Sequence, residues 1–169
     1  MTALPVSPSG TAPTVSIVIP AYNEEATIRA CVTAALAQTV PAHEVIVVDN
    51  RSTDRTAAIV AELQAANPDA PLRVIPQFAE QGLVPTRNLG LDSATGDVIG
   101  RIDADSVLEP TWVEEVQKAF LDPAVAAATG PVLYYDMPLR RFGLRADDTL
   151  RRAMLRLARE YHFVFGSNM

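Results

Sequence analysis

Three short polar segments contain the residue types in this chain that could bind a metal ion or a phosphate group. They read Pro20-Ala-Tyr-Asn-Glu24, Asp49-Asn50 and Asp103-Ala-Asp105. Carboxylates are hard oxygen ligands, and Mg²⁺ typically takes one or two of them, leaving its other positions to water and substrate phosphate. A cation held by Asp103 and Asp105 could neutralise a departing diphosphate, which is Lewis-acid catalysis of group transfer. The segments therefore predict a metal-dependent site for a phosphorylated substrate.

Strand and helix patterns alternate along the sequence. Short β-branched runs predict buried strands at 15–19, 45–48, 72–75, 98–102 and 125–135. Apolar residues at helical spacing predict helices over 24–37, 54–66 and 86–94, another starting at Pro110, and a last one over 150–161. Asn23 is the predicted N-cap of the first helix, and Ser52 or Thr53 that of the second. This alternation predicts an α/β fold, a mostly parallel sheet sandwiched by helices.

Each polar segment follows one of the predicted strands. Ligands of open α/β sheets bind beyond the carboxyl ends of the strands, so the three segments are expected at one edge of the sheet. Simpler roles remain open for individual residues. Tyr22 either stacks on a base or covers the strand end. Asp49 either binds ligand or caps its turn, and Arg87 either contacts a nucleotide or forms a surface ion pair.

Composition and charge disfavour several classes of protein. The 169 residues are 49% apolar and carry a net charge of −6. They contain no uninterrupted apolar run of the ~18 residues that a membrane span needs. The acidic balance disfavours nucleic-acid binding, and the absence of G-x-G-x-x-G and of a P-loop disfavours the standard nucleotide folds. A single cysteine, Cys31, excludes an internal disulfide and is interpreted as a core residue of a cytoplasmic protein.

Four segments of the sequence resemble the family 2 glycosyltransferases of the GT-A fold. They are VSIVIPAYNEEATI (15–28), VIVVDNRSTDRT (45–56), TRNLGLDSATGDVIGRIDAD (86–105) and FGSNM (165–169). The resemblance implies an inverting enzyme that uses Mg²⁺ or Mn²⁺ to transfer a sugar from a nucleotide diphosphate, UDP in preference to GDP. The acceptor would be a glycan, a lipid or a small molecule, in the biosynthesis of a cell-envelope polysaccharide or glycolipid.

By matched position, the resemblance also implies roles for individual residues. A nucleotide pocket would be lined by Pro20, Ala21, Tyr22, Glu24, Asp49, Arg87 and Asp103. Asp103 and Asp105 would form the family's Asp-x-Asp motif, with Asp105 as the direct metal ligand. The pair Asp49-Asn50 departs from the two acids that many members have, but it is a familiar variant.

A second departure concerns the end of the sequence. In the family, more chain follows a segment like 165–169 and supplies an acidic general base, which no residue here matches. Residues 14–169, after a flexible tail at 1–13, are therefore expected to be an incomplete nucleotide-sugar-binding domain. One alternative is a non-catalytic nucleotide-sugar-binding module. Another is a sugar-phosphate nucleotidyltransferase, which is disfavoured because its Gly-rich basic loop after the first strand is missing.

The stretch 140–161 allows two interpretations. Residues 140–169 carry seven basic and three acidic side chains, although the whole chain is acidic. The preferred interpretation is a helix that packs through a stripe of Leu150, Met154, Leu157 and Tyr161, with its arginines in water. The alternative is an interfacial helix that contacts anionic lipid at the inner face of a membrane. Leu155 falls on the basic side and weakens this alternative.

Overall fold

The structure, a computed structural model, describes residues 11–130. Its elements alternate strictly between strand and helix: β1 (Val15–Ala21), α1 (Ile28–Leu36), β2 (Glu44–Asp49), α2 (Thr56–Ala66), β3 (Leu72–Pro76), α3 (Leu83–Ser93), β4 (Val98–Arg101) and α4 (Trp112–Ala119). All of them lie within the compact unit Met1–Ala126, and of the second unit, Ala127–Met169, only residues 127–130 are described. Within the described range, no helix is long and apolar enough to cross a membrane.

The four strands form one parallel sheet in the order β3-β2-β1-β4. The register sets Ala21, at the end of β1, opposite Asp49, at the end of β2, and Val18 opposite Arg101 at the end of β4. A parallel sheet of this kind requires a crossover between successive strands, which the helices supply. The predicted α/β class is therefore confirmed.

Both faces of the sheet are buried, which explains why β1 and β2 are almost entirely apolar. On one face, Ile17, Ile19, Val45 and Val47 pack against α1, α2 and α4. On the other, a smaller cluster of Val18, Ile46 and Val48 packs against Leu89 of α3. Since burying one such side chain contributes ~1.5–3 kcal/mol, this double burial dominates the stability of the fold.

The strand predicted at 15–19 was expected to end before Pro20. In the structure, β1 continues through Pro20 to Ala21. Backbone bonds alternate along the strand: Val18 O accepts from Ile102 N on the β4 side, and Ala21 O accepts from Asn50 N on the β2 side. The nitrogen of Pro20 therefore faces the β4 side, beyond the residue where β4 ends. No ladder bond is lost there, and the proline is tolerated.

The predicted N-caps of the first two helices are wrong. α1 begins at Ile28 with Thr27 in the N-cap position, and α2 begins at Thr56 with Arg55 in that position. Asn23, Ser52 and Thr53 form hydrogen bonds with each other across two loops. These polar side chains therefore form a tertiary contact between two loops and do not cap the helix that follows them in sequence.

Three smaller differences concern the second half of the described chain. α3 begins three residues earlier than the predicted helix at 86–94, and α4 begins at Trp112, after Pro110. Residues 125–130 form no strand, and the rest of the predicted strand at 125–135 lies outside the described residues. The helix predicted at 150–161 also lies outside them, as do residues 1–10 of the predicted tail.

A buried carboxylate ties the amino ends of the strands together. Glu44, whose side chain is 7% exposed, accepts hydrogen bonds from Ser16 Oγ (2.9 Å), Thr95 N (2.6 Å) and Thr95 Oγ1 (2.7 Å), and it pairs with Arg73 Nη1 at 2.5 Å. Burial by itself raises the pKa of Glu44, but the bonds from Thr95, Ser16 and Arg73 outweigh it and lower the pKa from 4.5 to about 2. The ionised form is therefore the stable one in the folded protein.

The depressed pKa predicts how stability depends on pH. Glu44→Gln should lower the free energy of unfolding at pH 7 by roughly 2–3 kcal/mol, because it removes a charge-assisted network from a buried position. The contribution of Glu44 is complete above pH 4.5 and is lost as the pH falls towards about 2. Urea denaturation of both proteins across this range should therefore show curves that converge on acidification. Glu62→Gln, at a carboxylate that is 49% exposed, is the matched control and should change little. A gap between Glu44→Gln and wild type that stays constant down to pH 2 would contradict the assignment.

Candidate functional site

The carboxyl ends of β1, β2 and β4 meet at one edge of the sheet. Asn50 N donates to Ala21 O at 2.8 Å, which joins the first residue beyond β2 to the last residue of β1. Ile102 N donates to Val18 O at 2.9 Å, which holds the start of the segment beyond β4 against β1. The three polar segments singled out in the sequence therefore lie together, as the parallel topology predicts.

The residues at the end of β1 differ sharply in exposure. Pro20 and Ala21 are buried in the sheet, whereas Tyr22, the next residue, is 47% exposed. Tyr22 thus presents an aromatic ring at the edge, directly after two buried residues. Glu24 is half-buried; its Oε2 accepts from Thr27 Oγ1 at 2.9 Å, and its backbone N donates to Thr56 Oγ1 at 2.8 Å.

The carboxylate of Asp49 accepts long hydrogen bonds from the following turn and is only partly buried. Ser52 N lies 3.4 Å from both Oδ1 and Oδ2 of Asp49, so the carboxylate orients the turn that follows β2. The turn-capping role left open in the sequence is therefore present, and contacts this long still allow a carboxylate oxygen to accept from a ligand.

Asn50 supports this edge of the sheet from within, a structural role that the sequence analysis did not assign to it. It is buried, and its Oδ1 accepts from Gly82 N at 3.0 Å. Its backbone O also accepts from Gln81 Nε2 at 3.4 Å. These bonds hold the loop between β3 and α3 against the end of β2. The signal available in the sequence was an amide residue directly after a predicted strand and Asp49.

Arg87 and Asp103 form an ion pair below the surface. Arg87 Nη2 lies 3.7 Å from Asp103 Oδ1, and the two side chains are 21% and 11% exposed. Nε of Arg87 is buried and has no hydrogen-bond partner within residues 11–130. For Arg87, the simpler of the two predicted roles was a surface ion pair. The observed pair is too buried to be one. Arg87 instead brings a positive charge beside the acids at the edge.

Cys31 lies beneath the same acids. Its thiol is buried and donates to Asp103 O at 3.6 Å. Burial first, and then the charges of Asp105, Asp103 and Glu24, raise the pKa of Cys31 to about 12. The thiol is therefore neutral and unreactive near pH 7. This confirms the interpretation of Cys31 as a core residue. The charges of three carboxylates near the strand ends all raise the pKa of this one thiol, so the three lie near it.

Asp103 and Asp105 fit a divalent cation by ligand type. Asp105 is exposed at the edge, and Asp103 lies further in, next to Arg87. Across residues 11–130, no group of three or more His, Cys, Asp or Glu side chains is arranged to enclose a metal ion. Two carboxylates suit an ion that completes its coordination with substrate phosphate and water, and they do not suit an ion held wholly by protein.

Gly90 sets the distance between α3 and the sheet. A side-chain carbon added there would fall 2.3 Å from Val18 Cγ1 and 3.2 Å from Val48 Cγ2. α3 therefore packs directly on β1 and β2, and Arg87, one helical turn earlier, is brought towards the strand ends.

Known proteins with similar sequences show the family of this chain. The chain belongs to Glycosyl transferase family 2, whose profile matches residues 16–169. The chain is similar to the glycosyltransferase AglE of Haloferax volcanii, with 34% identity over 108 residues, which cover 63% of this chain and 35% of AglE. It is also similar to the chondroitin synthase of Pasteurella multocida, with 39% identity over 109 residues, 64% of this chain and 11% of that protein. The family is one of enzymes, and the chain spans about a third or less of the length of these relatives.

Solved structures agree with the family assignment. The mannosyltransferase PcManGT of Pyrobaculum calidifontis, in complex with GDP-Man and Mn²⁺, matches with a TM-score of 0.62 and 29% identity over 72% of this chain and 37% of that one. TarS 1–349 of S. aureus, in complex with UDP, matches with a TM-score of 0.57 and 25% identity over 73% of this chain and 40% of that one. The GT-A fold expected from the sequence is therefore confirmed.

The tight contact at Gly90 predicts the effect of adding one methyl group. Gly90→Ala should lower the free energy of unfolding by about 1–3 kcal/mol, because Val18 and Val48 belong to a packed core and must move. Urea denaturation measures this effect directly. Gly130→Ala is the control, since no atom of the described residues 11–130 lies within 4 Å of the added carbon. Equal stability of Gly90→Ala and wild type would show that α3 does not pack as closely as described.

Proposed function

We propose that this chain binds the donor of a glycosyltransferase reaction, in which a sugar passes from a nucleoside diphosphate to an acceptor hydroxyl with inversion. One observation carries the proposal: an exposed aromatic ring, Tyr22, and the carboxylates of Asp49, Asp103 and Asp105 meet at one edge of a GT-A sheet, with Arg87 paired to Asp103. An aromatic surface and hydrogen-bond acceptors suit a base and ribose. Acids with a basic side chain beside them suit a metal-bridged diphosphate.

A divalent cation is part of the proposal. Asp105 would bind Mg²⁺ or Mn²⁺ directly, and Asp103 would complete the protein's share of the ligands. When bound, the cation would supply charge neutralisation for the diphosphate leaving group. The exposure of Asp105 and the deeper position of Asp103 support this division. PcManGT, which this chain resembles, is in complex with Mn²⁺.

The chain's own residues would orient the donor. Tyr22 would stack on the base, and Asp49 would accept a hydrogen bond from the base or ribose while it keeps its contact with Ser52 N. Glu24, Pro20 and Ala21 would complete the floor of the pocket. Arg87 would hold Asp103 in place through Nη2, and the exposed part of its guanidinium would contact the nucleotide.

UDP is proposed as the nucleotide, with GDP as the competitor in the test. TarS is in complex with UDP and with UDP-GlcNAc, whereas PcManGT is in complex with GDP-Man. The acceptor is proposed to be a glycan, a lipid or a small molecule of cell-envelope polysaccharide or glycolipid synthesis, at the cytoplasmic side of a membrane. The stretch 140–161, for which a packed helix was preferred and a membrane contact was the alternative, lies outside the described residues.

Calorimetric titration tests the donor site and its metal. The chain should bind UDP in the presence of Mn²⁺ and lose that binding in EDTA, because phosphates approach an acidic edge only through a cation. Asp105→Asn should weaken Mn²⁺-dependent binding at least ~10-fold, since a ligating carboxylate is lost. Asp69→Asn, in an exposed loop between α2 and β3, is the matched control and should bind like the wild type.

Two results would count against the proposal. Unchanged, Mn²⁺-dependent binding by Asp105→Asn would refute the metal assignment. Absence of binding to both UDP and GDP, by protein that unfolds cooperatively in urea, would refute the donor site itself. Donor hydrolysis or transfer measured on the same samples separates an enzyme from a binding module without turnover. Release of pyrophosphate from a nucleoside triphosphate and a sugar phosphate would instead indicate a nucleotidyltransferase.

A further inference from the structure

Asn23 has a backbone conformation that few residues adopt. Its φ is 55°, in the left-handed region, where asparagine and glycine are the residues most easily accommodated. Asn23 follows the exposed Tyr22 directly, so the path of the backbone here determines where the tyrosine ring is placed. The side chain of Asn23 then points across to the loop between β2 and α2.

Reciprocal hydrogen bonds connect these two loops. Asn23 N donates to Ser52 Oγ at 3.0 Å, and Asn23 Oδ1 accepts from Thr53 N at 2.8 Å and from Thr53 Oγ1 at 3.3 Å. We call these bonds the inter-loop network. Each loop supplies both donors and acceptors, so neither can shift without breaking bonds in both directions.

A second layer of bonds reinforces the network two residues further along. Glu25 N donates to Asp54 Oδ2 at 3.0 Å, and Glu25 Oε2 accepts from Arg55 N at 3.0 Å. The two loops are therefore paired over successive residues, in the way that two strands pair, but with side chains as half of the partners. Such side-chain bonds to the backbone are specific to one arrangement of the loops.

Ser52 extends the network to a proposed ligand contact. Its side chain accepts from Asn23, and its backbone N is 3.4 Å from both carboxylate oxygens of Asp49. Asn23 and Asp49 are thus linked through one intervening residue. This link connects the loop that contains Tyr22, directly after β1, to Asp49 at the end of β2.

We propose that Asn23 is a positioning residue: through Ser52 and Thr53 it fixes Tyr22 and Asp49 relative to each other, so that both reach the donor nucleotide together. The inference rests on the proposed function, because it assigns these two side chains to the donor. It differs from a ligand role for Asn23, since the side-chain oxygen is already used by both donors of Thr53.

The test compares two single variants with their double variant. Asn23→Gly keeps the left-handed backbone and the bond from residue 23 N, but it removes the side-chain oxygen. Ser52→Ala removes the acceptor for that backbone bond. Each should raise the Kd for UDP with Mn²⁺ by about fivefold to tenfold, the usual value of one hydrogen bond. Because both act through one network, the double variant should be little weaker than the weaker single variant.

Two further variants separate positioning from general stability. Ser52→Thr keeps the hydroxyl and should restore the affinity that Ser52→Ala loses. Asn67→Gly removes a comparable side-chain bond, from Asn67 Nδ2 to Leu63 O at 2.9 Å, at the far end of α2. It should lower the urea midpoint but leave the Kd unchanged, provided that binding is measured where every variant is folded.

The outcomes distinguish this inference from the proposed function. Wild-type binding together with an unchanged Kd for Asn23→Gly overturns the positioning role alone. Losses that multiply in the double variant also overturn it, because they would show Asn23 and Ser52 acting independently, as direct ligand contacts do. If the wild type binds neither UDP nor GDP, the proposed function and the positioning role fail together.

Discussion

The parallel pairing of β1 with β2 and β4 is the constraint on which the rest of this structure depends. It requires that all three strands run the same way, so their carboxyl ends and the loops that follow share one edge. Burial of both faces of β1 and β2 fixes the register, because a shift by one residue would exchange the two packed faces. The buried apolar residues of the strands therefore bring the polar residues at the strand ends to one edge of the sheet.

What the sequence predicts well is whatever a local pattern encodes. Alternation of apolar runs and helical periodicity sufficed for the order and class of the eight elements, and the acids at the strand ends followed from the topology. The caps were misassigned because Asn23, Ser52 and Thr53 have the composition of capping residues but bond across loops some thirty positions apart. Local propensity carries no information about which distant partner such a side chain will find.

Glu44 illustrates the same limit in the core. Glutamate is usually an exposed residue type, yet Glu44, the first residue of β2, is almost wholly buried and bonded to Ser16, Thr95 and Arg73. Only the assembled sheet brings these partners together, from β1, β3 and the turn before β4. The network lies at the amino ends of the strands, whereas the candidate site lies at their carboxyl ends. The fold thus separates a carboxylate that supports stability from the carboxylates available for binding.

The chain contains one tryptophan, Trp112, and its indole rests on Gly100 of β4. A side-chain carbon added at Gly100 would lie 2.2 Å from Trp112 Cη2, so the ring and the strand backbone are in intimate contact. Trp112 belongs to α4, on the sheet face opposite to α3. Its fluorescence emission is therefore a built-in spectroscopic reporter of how α4 is docked on β4, the strand that leads into Asp103. Loss of tertiary structure would shift this emission to longer wavelength, because the indole becomes hydrated.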